Sequence, residues 1–248
     1  MKKIVAIGGG EISKGETYTI DKEIVKLSGK THPKTLFVPT ASFEPPGYCE
    51  RFKNLYENEL GAKVDVLHLL DNLLTQKEIE EKINWADIIY VGGGDTGHML
   101  KVWKSKHVDQ LLKQAYEKGT LLCGLSAGAI CWFKYGQSEI ESAASEDGFD
   151  YIKLEGLGLL DAFHCPHYNE GRREEMFYQM IQSSNHVGIA LENNCAIAII
   201  GDTYRILSSE PNRAAYKIYN LEGQIFKEPI AQVAYFKNIK DLGIPSSF

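Results

Sequence analysis

Short apolar runs that end in small or turn-forming residues alternate along this chain with longer amphipathic stretches, and that alternation limits the folds open to it. KKIVAIGGG, KTLFVPTAS, KVDVLHLL, ADIIYVGGG and TLLCGLSAG each read as a strand. Between them, YCERFKNLYENELGA, TQKEIEEKINW and GHMLKVWKSKHVDQLLKQAYEKG have helix length, the last closed by Gly119 at a C′ position. Strands that are apolar on both faces and joined by helices make a parallel sheet covered on both sides. The pattern therefore predicts an α/β fold: a three-layer α/β/α sandwich with a mostly parallel central sheet. Beyond residue 185 the texture changes to VGIALENNCAIAIIGDTYRILS and AAYKIYNLEGQIFKEPI. Tight turns at Gly201-Asp202 and Glu222-Gly223 join these strands, which predicts a C-terminal antiparallel extension of the same sheet. The 248 residues, 44% hydrophobic and without a proline-rich linker, repeat or low-complexity tract, read as one domain spanning 1–248. SEIESAASEDGFD, residues 138–150, has neither periodicity nor an apolar run and reads as a solvated loop, placed to act as a rim or lid.

Composition removes several classes of function. A net charge of −6 argues against a nucleic-acid or anionic-membrane partner. No stretch approaches 18 consecutive apolar residues, and the run Ile4 to Ile7 after Lys2 and Lys3 is too short for a signal peptide. The five cysteines (Cys49, Cys123, Cys131, Cys165 and Cys195) are odd in number and widely spaced, as expected of buried thiols in a reducing cytoplasm. No CxxC pair offers a structural zinc site.

The segment TLLCGLSAGAICWF places a serine between glycines where a strand-like run meets a helix-like one. Gly124-Leu125-Ser126-Ala127-Gly128 fits G-x-S-x-G, a nucleophile elbow when a strand precedes and a helix follows. The sharp turn strains the serine backbone and tolerates only small neighbours, and it lifts the hydroxyl beside N–H groups able to hold an oxyanion. AGAICWF is expected to be the helix. A serine nucleophile needs a base. His167 follows Cys165 and Pro166 where the chain must leave the sheet, which suits a base facing the elbow; His164, inside the apolar run, reads as a core or edge histidine. His164, Cys165 and His167 lack the further ligands that a metal would need. The third member should be a carboxylate orienting the imidazole. Glu192, at the strand-to-turn position of HVGIALENN, is the choice, with Glu139, Glu141 and Asp161 as rivals.

YVGGGDTGHML formally matches G-x-G-x-x-G, but it follows the fourth strand rather than the first, and a lysine-rich helix stands where a ribose-binding acid would be needed. The first triplet, Gly8-Gly9-Gly10, fails the pattern at its last position, and neither cluster carries a P-loop lysine. A better use for Gly93 and Gly94, with Ala127, is as backbone donors to an oxyanion.

FVPTAS, YVGGGDTGHML, GLSAGAICWF, CPHYNEGRRE and GIALEN occur in this order between residues 37 and 193. Together they resemble peptidase family S51, which includes dipeptidase E and cyanophycinase. The resemblance implies a fold like that of class I glutamine amidotransferases and serine-dependent hydrolysis of peptides. It matches Ser126 to the nucleophile, His167 to the histidine of a P-H-[FY] motif and Glu192 to the acid of cyanophycinase-like members. Descriptions of dipeptidase E place an aspartate near Glu139 instead, where this chain has none. The resemblance also puts Arg172 and Arg173 where an arginine binds the carboxylate of an N-terminal aspartate, which a guanidinium can grip through two parallel hydrogen bonds. The expectation is a cytoplasmic serine hydrolase of dipeptides or short peptides, monomeric or homodimeric, needing no metal or organic cofactor. The rival readings are a cyanophycinase-like exopeptidase on β-aspartyl material and a non-catalytic module binding a small anion.

Overall fold

A computed structural model describes residues 1–141 and 149–245. In chain order the first half contains β1 (Lys3–Ile7), α1 (Tyr18–Leu27), β2 (Lys34–Val38), α2 (Pro46–Lys53), β3 (Lys63–Val66), α3 (Gln76–Trp85), β4 (Ile88–Val91), α4 (Thr96–Ser105), α5 (Val108–Lys118), β5 (Leu121–Leu125) and α6 (Ala127–Ile130). The second half contains β6 (Phe133–Glu141), β7 (Phe149–Glu155), β8 (Leu160–Cys165), α7 (Arg173–Gln182), β9 (Gly188–Leu191), β10 (Cys195–Ile200), β11 (Thr203–Ser208), β12 (Ala215–Leu221), β13 (Gln224–Pro229) and β14 (Lys237–Asn238).

The first sheet has eight strands in the order β14-β11-β10-β1-β5-β4-β2-β3. Its β1, β5, β4, β2 and β3 are parallel, and β10, β11 and β14 add the antiparallel extension. Alternate strand residues face opposite layers, as strand geometry requires. Ile4, Leu36, Ile89 and Leu122 pack with Ile83 of α3, Trp103 of α4 and Leu112 of α5, while Val5, Phe37, Tyr90 and Cys123 pack with Ile24 of α1 and Phe52 of α2. This is the three-layer sandwich that the alternating runs predict.

Four local features differ from the sequence reading. The C-terminal strands do not all extend the first sheet: β9, β12 and β13 join β8, β6 and β7 in a second, six-stranded sheet ordered β13-β12-β9-β8-β6-β7. VGIALENNCAIAII is thus divided between sheets, β9 pairing with β8 and β12, and β10 with β1 and β11. The single helix expected over GHMLKVWKSKHVDQLLKQAYEKG is two, because His107 takes a left-handed conformation (φ 54°) that re-aims α5 so that Val108, Leu112, Ala115 and Tyr116 are buried. AGAICWF is helical for one turn only, after which Phe133 begins β6. The acidic stretch is not a loop throughout: 138–141 and 149–150 belong to the antiparallel pair β6 and β7, and 142–148 lie outside the described residues.

Candidate active site

The serine turn is held by backbone sterics. Ser126 sits at φ 56°, ψ −113°, outside the regions open to most L-residues, and its N–H donates to the Ile7 carbonyl at 3.0 Å. The flanking glycines permit this. A methyl group on Gly124 would lie 2.2 Å from the Gly128 carbonyl oxygen, and one on Gly128 would lie 2.2 Å from that of Val91. Helix α6 has four residues, so what it offers an oxyanion is the orphan N–H groups of its first turn, Ala127 among them, rather than a long helix dipole.

Gly93 borders Ser126: a methyl built on it would lie 3.5 Å from Ser126 Cβ. Gly94 (φ 135°) lies so close to Ala41 that a methyl there would meet its carbonyl oxygen at 2.1 Å. The Tyr48 ring lies over Gly92, and its phenol interacts with the Gly93 backbone; burial raises that phenol above its ordinary range. Asp95 caps α4, accepting the His98 N–H at 2.8 Å. The G-x-G-x-x-G match is therefore accounted for by a close crossing and a helix cap.

The imidazole arrives from the second sheet. His167 follows β8 in a left-handed conformation (φ 48°), its N–H donating to the Gly8 carbonyl at 2.9 Å. Its Nε2 lies 2.9 Å from Ser126 Oγ. His164 faces away: it is fully buried, its Nδ1 is 2.9 Å from the Ile189 carbonyl, and its ring stacks on Phe133. Burial holds His164 down to about 3, the state of a neutral core histidine. The neighbouring Cys165 thiol, donating to Gln137 Oε1 at 3.1 Å, is pushed up by burial to about 12.

Glu192 does not meet the imidazole. Its Oε2 accepts the Ala214 N–H at 3.1 Å and its Oε1 the Tyr216 hydroxyl at 3.4 Å, which ties it to the start of β12. Glu139 instead pairs with Arg173, Asp161 lies near Lys134 and His186, and Glu141 closes β6. The carboxylate nearest the His167 imidazole is one the sequence reading passed over. Glu170 Oε2 lies 3.5 Å from His167 Nδ1, an ion-pair contact too long for a hydrogen bond, and that nitrogen has no hydrogen-bond partner among the described residues. Interaction with His167 first, and a hydrogen bond from Asn193 next, hold the Glu170 carboxyl down to about 2. The i, i+3 spacing in HYNE is met here because His167 takes a left-handed turn, which the letters alone do not announce.

The two arginines part company. Arg172 stands at the N-cap position of α7 without a side-chain capping bond, whereas Arg173 is buried, pairs with Glu139 and lies 5.3 Å from the Tyr151 ring centroid. Its Nε and Nη1 have no hydrogen-bond partner among the described residues. No cluster of three His, Cys, Asp or Glu side chains that could hold a metal ion occurs among the described residues. No helix among them is long and apolar enough to cross a membrane.

A mixed α/β sheet carrying a strained serine at a strand-to-helix turn, with an imidazole on its hydroxyl, has the architecture of a nucleophile-elbow hydrolase. The chain belongs to peptidase family S51, whose profile matches residues 4–207, and it is a hydrolase of that serine-type peptidase family. Among its relatives, the protein named "Uncharacterized peptidase YgaJ" from Bacillus subtilis (strain 168) is 31% identical over 234 residues, covering 93% of this chain and 97% of the relative. The protein named "Peptidase E" from Nostoc sp. (strain PCC 7120) is 24% identical over 172 residues, covering 68% and 66% of the two chains. The crystal structure of a peptidase from an acI-B1 actinobacterium superposes with a TM-score of 0.67 at 17% identity, over 96% of this chain and 97% of that one.

Proposed function

We propose that this peptidase hydrolyses dipeptides or short peptides through Ser126, His167 and Glu170. The observation that carries the reading is the 2.9 Å contact between Ser126 Oγ and His167 Nε2 at a backbone turn that only a special residue occupies. Ser126 Oγ attacks the scissile carbonyl carbon and its proton passes to His167 Nε2. The Ala127 N–H, with an amide of the Gly93-Gly94 loop, holds the oxyanion. The imidazolium then gives that proton to the departing amine, and water, deprotonated by the same nitrogen, releases the acyl group. Glu170 fixes the imidazole with Nε2 facing the serine and stabilises the imidazolium. In this reading Glu192 is a structural carboxylate.

The name of the Nostoc relative supports a peptide substrate, and the family resemblance alone supports short peptides with N-terminal aspartate first among them. Arg173 supports that preference only in part, because Glu139 already occupies its Nη2 edge.

The test is labelling with a fluorophosphonate, followed by peptide mapping and a dipeptide panel that includes α- and β-linked aspartyl peptides. The expected result is one adduct, on Ser126, with labelling and hydrolysis both lost in Ser126→Ala. An unlabelled Ser126 in folded protein, or hydrolysis that persists in Ser126→Ala, would overturn the mechanism.

A further inference from the structure

Residues 40–44 cross beside the Gly93-Gly94 loop, where the Asp95 N–H donates to the Ala41 carbonyl at 2.8 Å. That contact fixes the turn relative to Ser126, which Gly93 borders. Two successive residues of the turn, Phe43 (φ 63°) and Glu44 (φ 59°), are left-handed. Neither is glycine, and a bulky aromatic residue in that region is an outlier that the surrounding structure must hold. The hold comes from Glu44, whose buried carboxylate accepts the Leu69 N–H at 2.7 Å and the Leu70 N–H at 3.4 Å. Phe43 gains little from burial. It is 60% exposed, with its ring centroid 4.5 Å from that of His98 in the first turn of α4. Glycine or asparagine would make the same turn with less strain, so the ring answers to something other than the fold.

The first turn of α4 lies between Phe43 and the β6–β7 pair. Thr96 accepts the Ser138 hydroxyl at 3.3 Å, and a methyl on Gly97 would lie 3.7 Å from Leu154 Cδ1. Ile152, two residues before Leu154 and so on the same face of β7, is 36% exposed. Gly97 is exposed, so Phe43 and His98 on one side and Leu154 and Ile152 on the other flank bare backbone. Arg173 belongs to the opposite face of β6, where it pairs with Glu139, the residue after Ser138. Strand β6 and the first turn of α4 thus separate Arg173 from Phe43. A substrate whose residue before the scissile bond turns toward Arg173 turns the residue after it toward Phe43.

We propose that Phe43, braced by His98, is the specificity-determining residue for the leaving-group side of the substrate, selecting an apolar and above all an aromatic residue after the scissile bond. This rests on the reading of Ser126 as the nucleophile and is independent of which carboxylate orients His167. An aromatic side chain there meets ring against ring, whereas a charged one loses hydration against an apolar wall.

The test measures kcat/KM on dipeptides that share a first residue and carry Ala, Leu, Phe or Glu second, for the wild-type protein, Phe43→Gly and Phe43→Tyr. Glycine suits the left-handed backbone, so Phe43→Gly removes the ring without altering the turn, and thermal melts should show it at least as stable as the wild type. Fluorophosphonate labelling, whose leaving group is fluoride, reports on Ser126 without filling the subsite. The wild type should prefer Phe over Ala by about tenfold and disfavour Glu, the discrimination that an apolar contact gives. Phe43→Gly should lose that preference with Ser126 still labelled, and Phe43→Tyr should keep it. Equal kcat/KM for Phe and Ala in the wild type, or a preference that survives in Phe43→Gly, would overturn the subsite and leave Ser126 and His167 standing. A change of oligomeric state in Phe43→Gly, seen by size-exclusion chromatography, would give the exposed ring to a second copy of the chain and overturn it as well. Absence of both labelling and hydrolysis in the wild type would remove the mechanism on which it rests.

Discussion

The serine side and the imidazole side of the proposed site are two walls built on different principles. On the serine side, one short segment supplies almost everything: a strand, two glycines and a one-turn helix, all within residues 121–130. The forces there are steric, since Gly124 and Gly128 sit so close to backbone oxygens that no larger residue fits. On the imidazole side, three segments far apart in the chain meet: Gly8 to Gly10, His167 to Glu170 and Glu192 to Asn194. The forces there are polar and long-range, and the geometry depends on how two sheets are joined. A change on the serine side should therefore act through folding or through the nucleophile itself. A change on the imidazole side should act on rate with little effect on stability.

The largest separation is expected between two glutamates. On the proposed mechanism Glu170→Gln keeps the shape but removes the charge that would stabilise the imidazolium, and should lower kcat about 10⁴-fold, the loss that removing a triad acid produces. Glu192→Gln should change kcat by no more than about threefold, because its carboxylate is tied to the Ala214 N–H and the Tyr216 hydroxyl. Its cost belongs in stability, about 1 kcal/mol for a weakened hydrogen bond pair. Steady-state kinetics and urea melts on the two variants decide the matter. A Glu192→Gln variant as slow as Glu170→Gln would mean that the imidazole turns toward Glu192 during turnover.

A smaller effect, about 10²-fold on kcat, is expected from Gly9→Ala, since displacing a catalytic imidazole by about 1 Å has that consequence. The added methyl would overlap both Asn193 Oδ1 and the His167 ring. Gly128→Ala, the counterpart on the serine side, should instead fail by folding, because its methyl meets the rigid Val91 carbonyl. Expression yield and melting temperature, measured beside kcat for the pair, would show whether the two walls fail differently.

This contrast also explains what the sequence made legible. Ser126 and the glycines around it could be read directly, because a local steric motif is written in adjacent letters. His167 was reachable because Pro166 forces the chain out of β8 at that point. Glu170 was not singled out, since its role depends on a left-handed turn at His167 that nothing in HYNE announces. Glu192 attracted attention by standing at a strand end, yet it heads toward β12 because β9 belongs to the second sheet. The same division between sheets hid the use of the first glycine triplet, which makes room for the imidazole. For the fold, the parallel strands were legible from doubly apolar runs, whereas AGAICWF looked helical because period alone cannot separate a buried turn of helix from the start of a strand.

The smallest expected effect is one of pH, and it separates two buried titratable groups. On α1, in the layer with Val5, Phe37, Tyr90 and Cys123, lies Asp21, which accepts hydrogen bonds from Thr17 and Tyr56, both at 2.8 Å, and which burial pushes up to about 7. Beneath the imidazole side lies His164, held down to about 3. The signs are opposite. Unfolded Asp21 ionises near 3.8 while the folded carboxyl keeps its proton, so its contribution is intact below 3.8 and is lost as pH rises through about 7. Unfolded His164 takes up a proton near 6.5 while the folded ring does not, so stability is lost as pH falls from 6.5 toward 3. Between pH 5 and pH 8 the Asp21 contribution alone should lower stability by about 2 kcal/mol. Asp21→Asn, which cannot ionise, should flatten the alkaline side of the profile and leave the acid side unchanged. Urea melts of the two proteins across that range would show it. A wild-type alkaline slope that survives in Asp21→Asn would place the titrating group elsewhere than at Asp21.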